Sequence, residues 1–131
     1  MSIGTWEPAG NTASIDSALL QRALELVNTG KLEALATELT ADELGKNSIM
    51  RLDEAPWQAV VGDFDDNALY ALMQFFTIAE RDLPGWQAGT QSPVIYLNRE
   101  LKRRGNKLAT EQLQWIRSHS ENRFLPNGPV M

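Results

Sequence analysis

Apolar residues recur along this chain at intervals of three and four, the spacing that places them on one face of an α-helix. From Ser14 onward this spacing predicts an amphipathic helix that Gly30 ends, with its apolar stripe formed by Leu19, Leu20, Ala23, Leu24, Leu26 and Val27. No segment shows sustained alternation of apolar and polar residues, which is the pattern of a β-strand. The pattern therefore predicts an all-α protein.

Start and stop signals divide the next part of the chain into short helices. A second helix has apolar positions at Leu32, Leu35, Ala36 and Leu39. Thr40 followed by Glu43 has the capping-box spacing and predicts a third start. Pro56 lies near the start of a fourth helix, since proline is tolerated in a first turn, and Gly62 ends it.

The segment up to Asp82 has apolar residues around most of the helical wheel, in contrast to its amphipathic neighbours. Asp65 and Asp66 place negative charge at its N-terminus, which favours a helix start there. A helix that is apolar on most sides is buried. We therefore expect this fifth helix to be central, with Phe75 and Phe76 in the core.

The C-terminal part predicts two further helices. Ser92 and Pro93 form a cap followed by proline at the first helical position, and Gly105 ends this sixth helix. A seventh runs from about Leu108 to Ser118. The prediction is an irregular orthogonal bundle of six or seven helices: an irregular arm over residues 1–13, a single helical domain over 14–121, and a tail over 122–131 packed on it through Phe124 and Leu125.

Composition is that of an ordinary globular protein, with 43% hydrophobic and 22% charged residues and no cysteine. The absence of cysteine excludes disulfides, thiolate metal sites and thiol catalysis. Residues 1–11 carry neither a positive charge nor an apolar run, so we expect no secretory signal and a cytoplasmic protein. The uncharged stretch over residues 67–79 is shorter than the roughly 20 residues of a membrane-spanning helix, so we expect no membrane partner.

Charge is distributed unevenly along the chain. The net charge is −5, but residues 1–90 carry five cationic and fourteen acidic side chains, for a net −9, whereas residues 91–131 carry seven and three, for a net +4. The acidic average disfavours general affinity for nucleic acid, while the C-terminal excess of cations indicates a local basic patch.

Motifs that would indicate a metal site or catalysis are incomplete. Asp63, Asp65 and Asn67 match the first positions of a calcium loop, but Ala68 stands where that loop needs glycine and Gln74 where it needs glutamate. Helix capping explains these acids better. His119 is the only histidine, and its serine neighbours point away from it on a helix. We expect no metal, no cofactor and no catalytic residue.

The sequence feature that most suggests binding is a basic face on the sixth helix, formed by Tyr96, Arg99, Lys102 and Arg103. The three cations lie opposite the inward stripe of Val94, Leu97 and Leu101, and Ile95 and Tyr96 border them. Trp86 and Arg123 are candidate neighbours. The simpler explanation is that cations in a last helical turn are stabilised by the helix dipole and only face solvent.

The leading functional prediction is a non-enzymatic protein-interaction module that uses the basic face to bind an acidic protein partner. A nucleic-acid-associated protein using the same face is the first alternative. A helix-turn-helix is disfavoured, because Leu101 and Glu111 stand where a small and an apolar residue are expected. The second alternative is a small enzyme with a pocket near Trp86, His119 and the tail, which requires acids such as Asp63 or Glu80 to converge there. The oligomeric state is left open.

Several C-terminal motifs resemble a family. Over about the last 60 residues the chain resembles small bacterial proteins of unknown function, through Pro84-Gly85-Trp86, Ser92-Pro93-Val94-Ile95, Leu101-Lys102-Arg103-Arg104-Gly105 and Asn122-Arg123-Phe124-Leu125-Pro126. The resemblance implies a bacterial cytoplasmic setting and brings no activity, cofactor or site residue.

Overall fold

A computed structural model describes residues 15–128. The predicted arm over residues 1–13 and the last three residues of the predicted tail lie outside this range. The described part contains seven α-helices and no strand: α1 (Ser17–Asn28), α2 (Leu35–Glu38), α3 (Ala41–Leu44), α4 (Glu54–Val61), α5 (Asp66–Asp82), α6 (Pro93–Arg103) and α7 (Thr110–His119). Short 3₁₀ turns lie at Leu32–Ala34, Asn47–Arg51 and Gly89–Gln91. The predicted all-α bundle of six or seven helices in one domain is confirmed.

Side-chain caps place several helix starts. Asp16 caps α1 by accepting a 2.9 Å hydrogen bond from the Ala18 N–H, so this helix begins at Ser17 and not at Ser14 as predicted. Thr40 and Glu43 form the predicted capping box at α3. Asp65 caps α5 through the Ala68 N–H at 2.8 Å, which confirms the capping interpretation of that acidic segment.

Helix ends follow the glycine signals. Gly30 and Gly105 have φ values of +73° and +80°, in the left-handed region that glycine adopts without steric cost. After α6, the Asn106 N–H donates to the Leu101 carbonyl at 2.9 Å, which closes the helix end. Helices α1 and α6 therefore end next to the glycines that the sequence predicts as stop signals.

The core is built around α5, as predicted. This helix packs against α1, α2, α6 and α7, and ten of its seventeen residues are buried. Phe75 and Phe76 are fully buried and meet edge to face at 5.1 Å between ring centres, and Trp57 and Trp86 contact them in the same geometry. No helix among residues 15–128 is long and apolar enough to cross a membrane.

The chain after α7 lies against α6 without helical structure. Leu125 and Pro126 are buried and Phe124 is partly buried. Asn98 of α6, itself 3% exposed, donates to the Pro126 carbonyl at 3.2 Å. This buried amide attaches the tail to α6.

Candidate functional site

The basic face lies on the exposed side of α6. Arg99, Lys102 and Arg103 are exposed, and Tyr96 is half-buried with its ring centre 5.8 Å from the Arg99 guanidinium carbon. Val94, Leu97 and Leu101 are buried, as the wheel predicts. The expectation that Ile95 borders the basic face is wrong, because Ile95 is 1% exposed and belongs to the core.

Carboxylates of this chain already neutralise much of the basic face. Arg99 binds Glu54 of α4 at 2.7 Å, and Arg103 binds both carboxylate oxygens of Glu100 at 2.5 and 2.6 Å. Among the described residues, Lys102 donates only to the amide oxygen of Asn127, at 3.1 Å. The cavity beside Tyr96, Arg99 and Arg103 has a volume of about 40 Å³, enough for a few water molecules. The basic face therefore offers an incoming ligand little enclosed space and little unpaired charge.

The cation next in sequence, Arg104, has a structural role that the sequence did not show. Its side chain is 20% exposed and binds Glu100 and Asp66 at 2.7 and 2.8 Å and the Val61 carbonyl at 2.9 Å. Burial raises the pKa of Glu100, but the hydrogen bonds from Arg103 and Arg104 outweigh it and hold this pKa below its usual value. Arg104 thus joins α4, α5 and α6.

Trp86 is not available to a partner, which corrects its assignment as a neighbour of the basic face. The side chain is 0% exposed, its indole N–H donates to the Leu44 carbonyl at 3.1 Å, and its ring packs on Phe75. The apolar ring is buried and its one polar atom is satisfied, so Trp86 is a core residue.

Arg123 lies at a different site from the basic face, on a pocket between the end of α5, the loop that follows it and the tail. The pocket has a volume of about 340 Å³ and is lined by Glu80, Gln87, Gly89 and residues 121–124. We call it the Glu80 pocket. Its volume falls within the range of about 300–1,000 Å³ that is usual for small-molecule sites.

Glu80 is the buried acid of this pocket. The residue is 5% exposed, and its carboxylate accepts hydrogen bonds from the Ser92 hydroxyl, from the Ala88 N–H at 3.2 Å and from the Asn122 amide at 3.1 Å. Burial raises the pKa of Glu80, and these three hydrogen bonds only partly offset it. A carboxyl with a raised pKa in a cleft is a common feature of functional sites.

Two amide side chains hold the walls of the Glu80 pocket in place. Gln87 donates to the Glu80 and Leu83 carbonyls at 2.7 and 3.1 Å and accepts from the Gly85 N–H. Asn122 donates to the Gly89 carbonyl at 2.9 Å as well as to Glu80, and accepts from the Phe124 N–H. Because these amides bind both the loop and the tail, the pocket is formed before any ligand enters.

Glu121 and Arg123 remain available at the mouth of the Glu80 pocket. Both are exposed, and neither side chain has a hydrogen bond or ion pair within the described range. The Arg123 guanidinium carbon lies 5.1 Å from the Phe124 ring centre, a cation–π geometry. The pocket thus combines a buried carboxyl, an aromatic wall and two exposed charges of opposite sign.

The residues named for a possible enzyme pocket come together only in part. Glu80 meets the tail, whereas Asp63 and His119 do not line the pocket. His119 stacks on Trp115 at 4.0 Å between ring centres, and its Nδ1 lies 2.7 Å from the Trp115 carbonyl oxygen and 3.1 Å from the Ser118 hydroxyl oxygen. The expectation that both serine neighbours point away from His119 is therefore wrong for Ser118. Within residues 15–128, no group of three or more acidic or histidine side chains could hold a metal ion.

No family model, curated protein or solved structure matches this chain.

Proposed function

We propose that this protein binds a small polar molecule in the Glu80 pocket. The observation that carries the proposal is a buried, ionisable carboxyl at the base of a preformed pocket of about 340 Å³. Burying a carboxyl is unfavourable for the folded protein, and apolar residues would fill the same position without that cost. The presence of an acid at this position supports a role in recognition.

The residues that line the Glu80 pocket support binding of a ligand and not catalysis. Among the described residues, the lining contains no hydroxyl, amine or imidazole that could act as a nucleophile. The Ser92 hydroxyl is buried, donates to Glu80 and accepts from the Val94 N–H at the start of α6. Helix capping explains this position, and the Ser118 hydroxyl, which lies 3.1 Å from His119 Nδ1, is outside the pocket lining.

A fragment experiment tests whether the pocket binds ligands. Small polar fragments are added to uniformly ¹⁵N-labelled protein, and we expect the bound fragments to shift the backbone amide of Gly89 and the side-chain amides of Gln87 and Asn122. Shifts confined to other parts of the protein would contradict the proposal.

A pair of phenylalanine variants provides the matched control. Phe124 lines the pocket and Phe64 does not, and both are partly buried side chains packed against the core. We expect Phe124→Ala to weaken the binding of the fragments and Phe64→Ala to leave it unchanged. Equal weakening by both variants would indicate a general loss of stability, and the pocket would then lose its support.

A second candidate function is contact with an acidic protein segment through the basic face. The observation that favours it is the exposure of the Arg99 and Arg103 side chains, 52% and 72%, even in their ion pairs. An acidic segment would have to compete with Glu54 for Arg99. Reversal of Arg99 and Lys102 to Glu should abolish salt-sensitive retention of such a partner while the helical spectrum stays unchanged. If the variant lost bound nucleic acid and not a protein, nucleic acid would be favoured as the partner. Unchanged retention of every bound molecule would exclude the basic face as a binding surface.

A further inference from the structure

The charges around the Glu80 pocket are unbalanced. Two carboxylates line it, Glu80 at the base and Glu121 at the mouth, against the single guanidinium of Arg123. Within the described range, the hydrogen-bond donors to Glu80 are a hydroxyl, a backbone N–H and an amide, and none is a cation. A buried carboxylate is most stable when it is paired with a positive charge, which the described residues do not supply.

Glu80 also retains capacity to accept a hydrogen bond. An ionised carboxylate has about four acceptor positions, and three donors occupy those of Glu80. Because Glu80 lines the pocket, an ammonium or guanidinium group within it could donate to the remaining position. Such charge-assisted hydrogen bonds are about twice as strong as neutral ones.

The aromatic wall is suited to the same kind of group. The guanidinium carbon of Arg123 lies 5.1 Å from the Phe124 ring centre, a cation–π geometry that a ligand cation would take over by displacing Arg123. Arg123 itself is exposed, so water and salt screen its repulsion of an incoming cation more than they screen the attraction of buried Glu80. An anion, in contrast, would have to approach the buried carboxylate.

We propose that the ligand of the Glu80 pocket is a small organic cation, a primary amine or a guanidinium compound, whose charged group binds Glu80. Glu121 and the Phe124 ring then hold the part of the ligand nearer the mouth. This inference rests on the proposed function, since it names the chemical class of molecule that the same pocket takes.

Three compounds of similar length and different charge test this class. We would titrate the protein with 1,4-diaminobutane, 1,4-butanediol and succinate by isothermal calorimetry, and map each by amide shifts. We expect the diamine to bind at least about tenfold more tightly than the diol, because hydrogen bonds to charged groups contribute about 1.5–3 kcal/mol and each 1.4 kcal/mol is a factor of ten. We expect succinate to bind least.

Three carboxyl variants locate the interaction. Glu80→Gln keeps the side-chain shape and removes the charge, so it should abolish the preference for the diamine over the diol. Glu121→Gln acts at an exposed position where folding is not at risk, and it should weaken diamine binding to a smaller extent. Glu111→Gln removes an exposed carboxylate of α7 that does not line the pocket, and it should leave binding unchanged.

The outcomes separate the two proposals. The cation class would be overturned if succinate bound more tightly than the diamine, or if the diamine bound equally well to Glu80→Gln and Glu121→Gln. The proposed function would still stand in either case, provided that one of the compounds shifted the amides of the pocket. If the three compounds and the fragments all leave Gly89 and the amides of Gln87 and Asn122 unmoved, the proposed function fails as well.

Discussion

Replacement of Glu80 by Gln should make the protein more stable at neutral pH and remove part of the pH dependence of folding. Burial raises the pKa of Glu80 above its unfolded value, so between the two pKa values the folded state binds more protons than the unfolded state does. The contribution of Glu80 to stability is therefore fully present below the unfolded pKa and is lost as pH rises through the folded pKa. Gln has nearly the same shape and does not ionise.

The size of this effect is set by proton linkage. One proton corresponds to a slope of at most about 1.4 kcal/mol per pH unit in the free energy of unfolding. The free energy of unfolding of Glu80→Gln minus that of the wild type should thus increase with pH between the two pKa values. Above the folded pKa this difference should become constant. Asp16, Asp82 and Glu100, whose pKa values the fold lowers, give the opposite dependence, but they are present in both proteins and cancel in the difference.

Urea unfolding, followed by far-ultraviolet circular dichroism from about pH 4 to about pH 8, measures this difference. Glu111→Gln is the control, since the carboxyl that it removes is exposed to water in the folded protein. Its difference from wild type should change much less with pH. A difference for Glu80→Gln that stays flat or falls with rising pH would refute the account of Glu80 as a carboxyl penalised by burial.

Two further predictions concern stability. Phe76→Ala should lower the free energy of unfolding by about 3–5 kcal/mol in urea unfolding, because Phe76 is 0% exposed in the core; a loss below about 1 kcal/mol would mean that α5 is not central. Arg104→Met should destabilise the protein more than Arg103→Met by roughly 1–3 kcal/mol, because Arg104 bridges three elements and Arg103 is 72% exposed; equal thermal melts would contradict this difference.

The helices could be predicted from sequence because their signals are local. The capping box of Thr40 and Glu43 lies within a few residues, and so does the glycine signal at the end of α6. The start of α1 lies later than the apolar spacing predicts, because the spacing does not locate the cap, which is Asp16 through its hydrogen bond from the Ala18 N–H.

The candidate site depends on contacts that no local pattern encodes. A helical wheel assigns Arg99 to an exposed face, but its pairing with Glu54 spans 45 positions of the chain. Likewise, the loop around Trp86 makes it a candidate neighbour of the basic face, whereas its indole N–H binds the Leu44 carbonyl, 42 positions away. The wheel shows which side of a helix faces outward, and only the tertiary fold shows which charges are already paired.

Glu80 illustrates what distinguishes a site from an exposed charge. In sequence it is one acid at the end of an apolar stretch, equivalent to Asp82 two residues later. In the fold, Asp82 is exposed and pairs with Arg81, which lowers its pKa, whereas Glu80 is buried among neutral donors, which leaves its pKa raised. The tail forms part of this environment, because the Asn122 amide donates to Glu80 and lines the pocket beside it. The proposed ligand would therefore contact the α5 end and the tail together, and by pairing with Glu80 it should also stabilise the attachment of the tail.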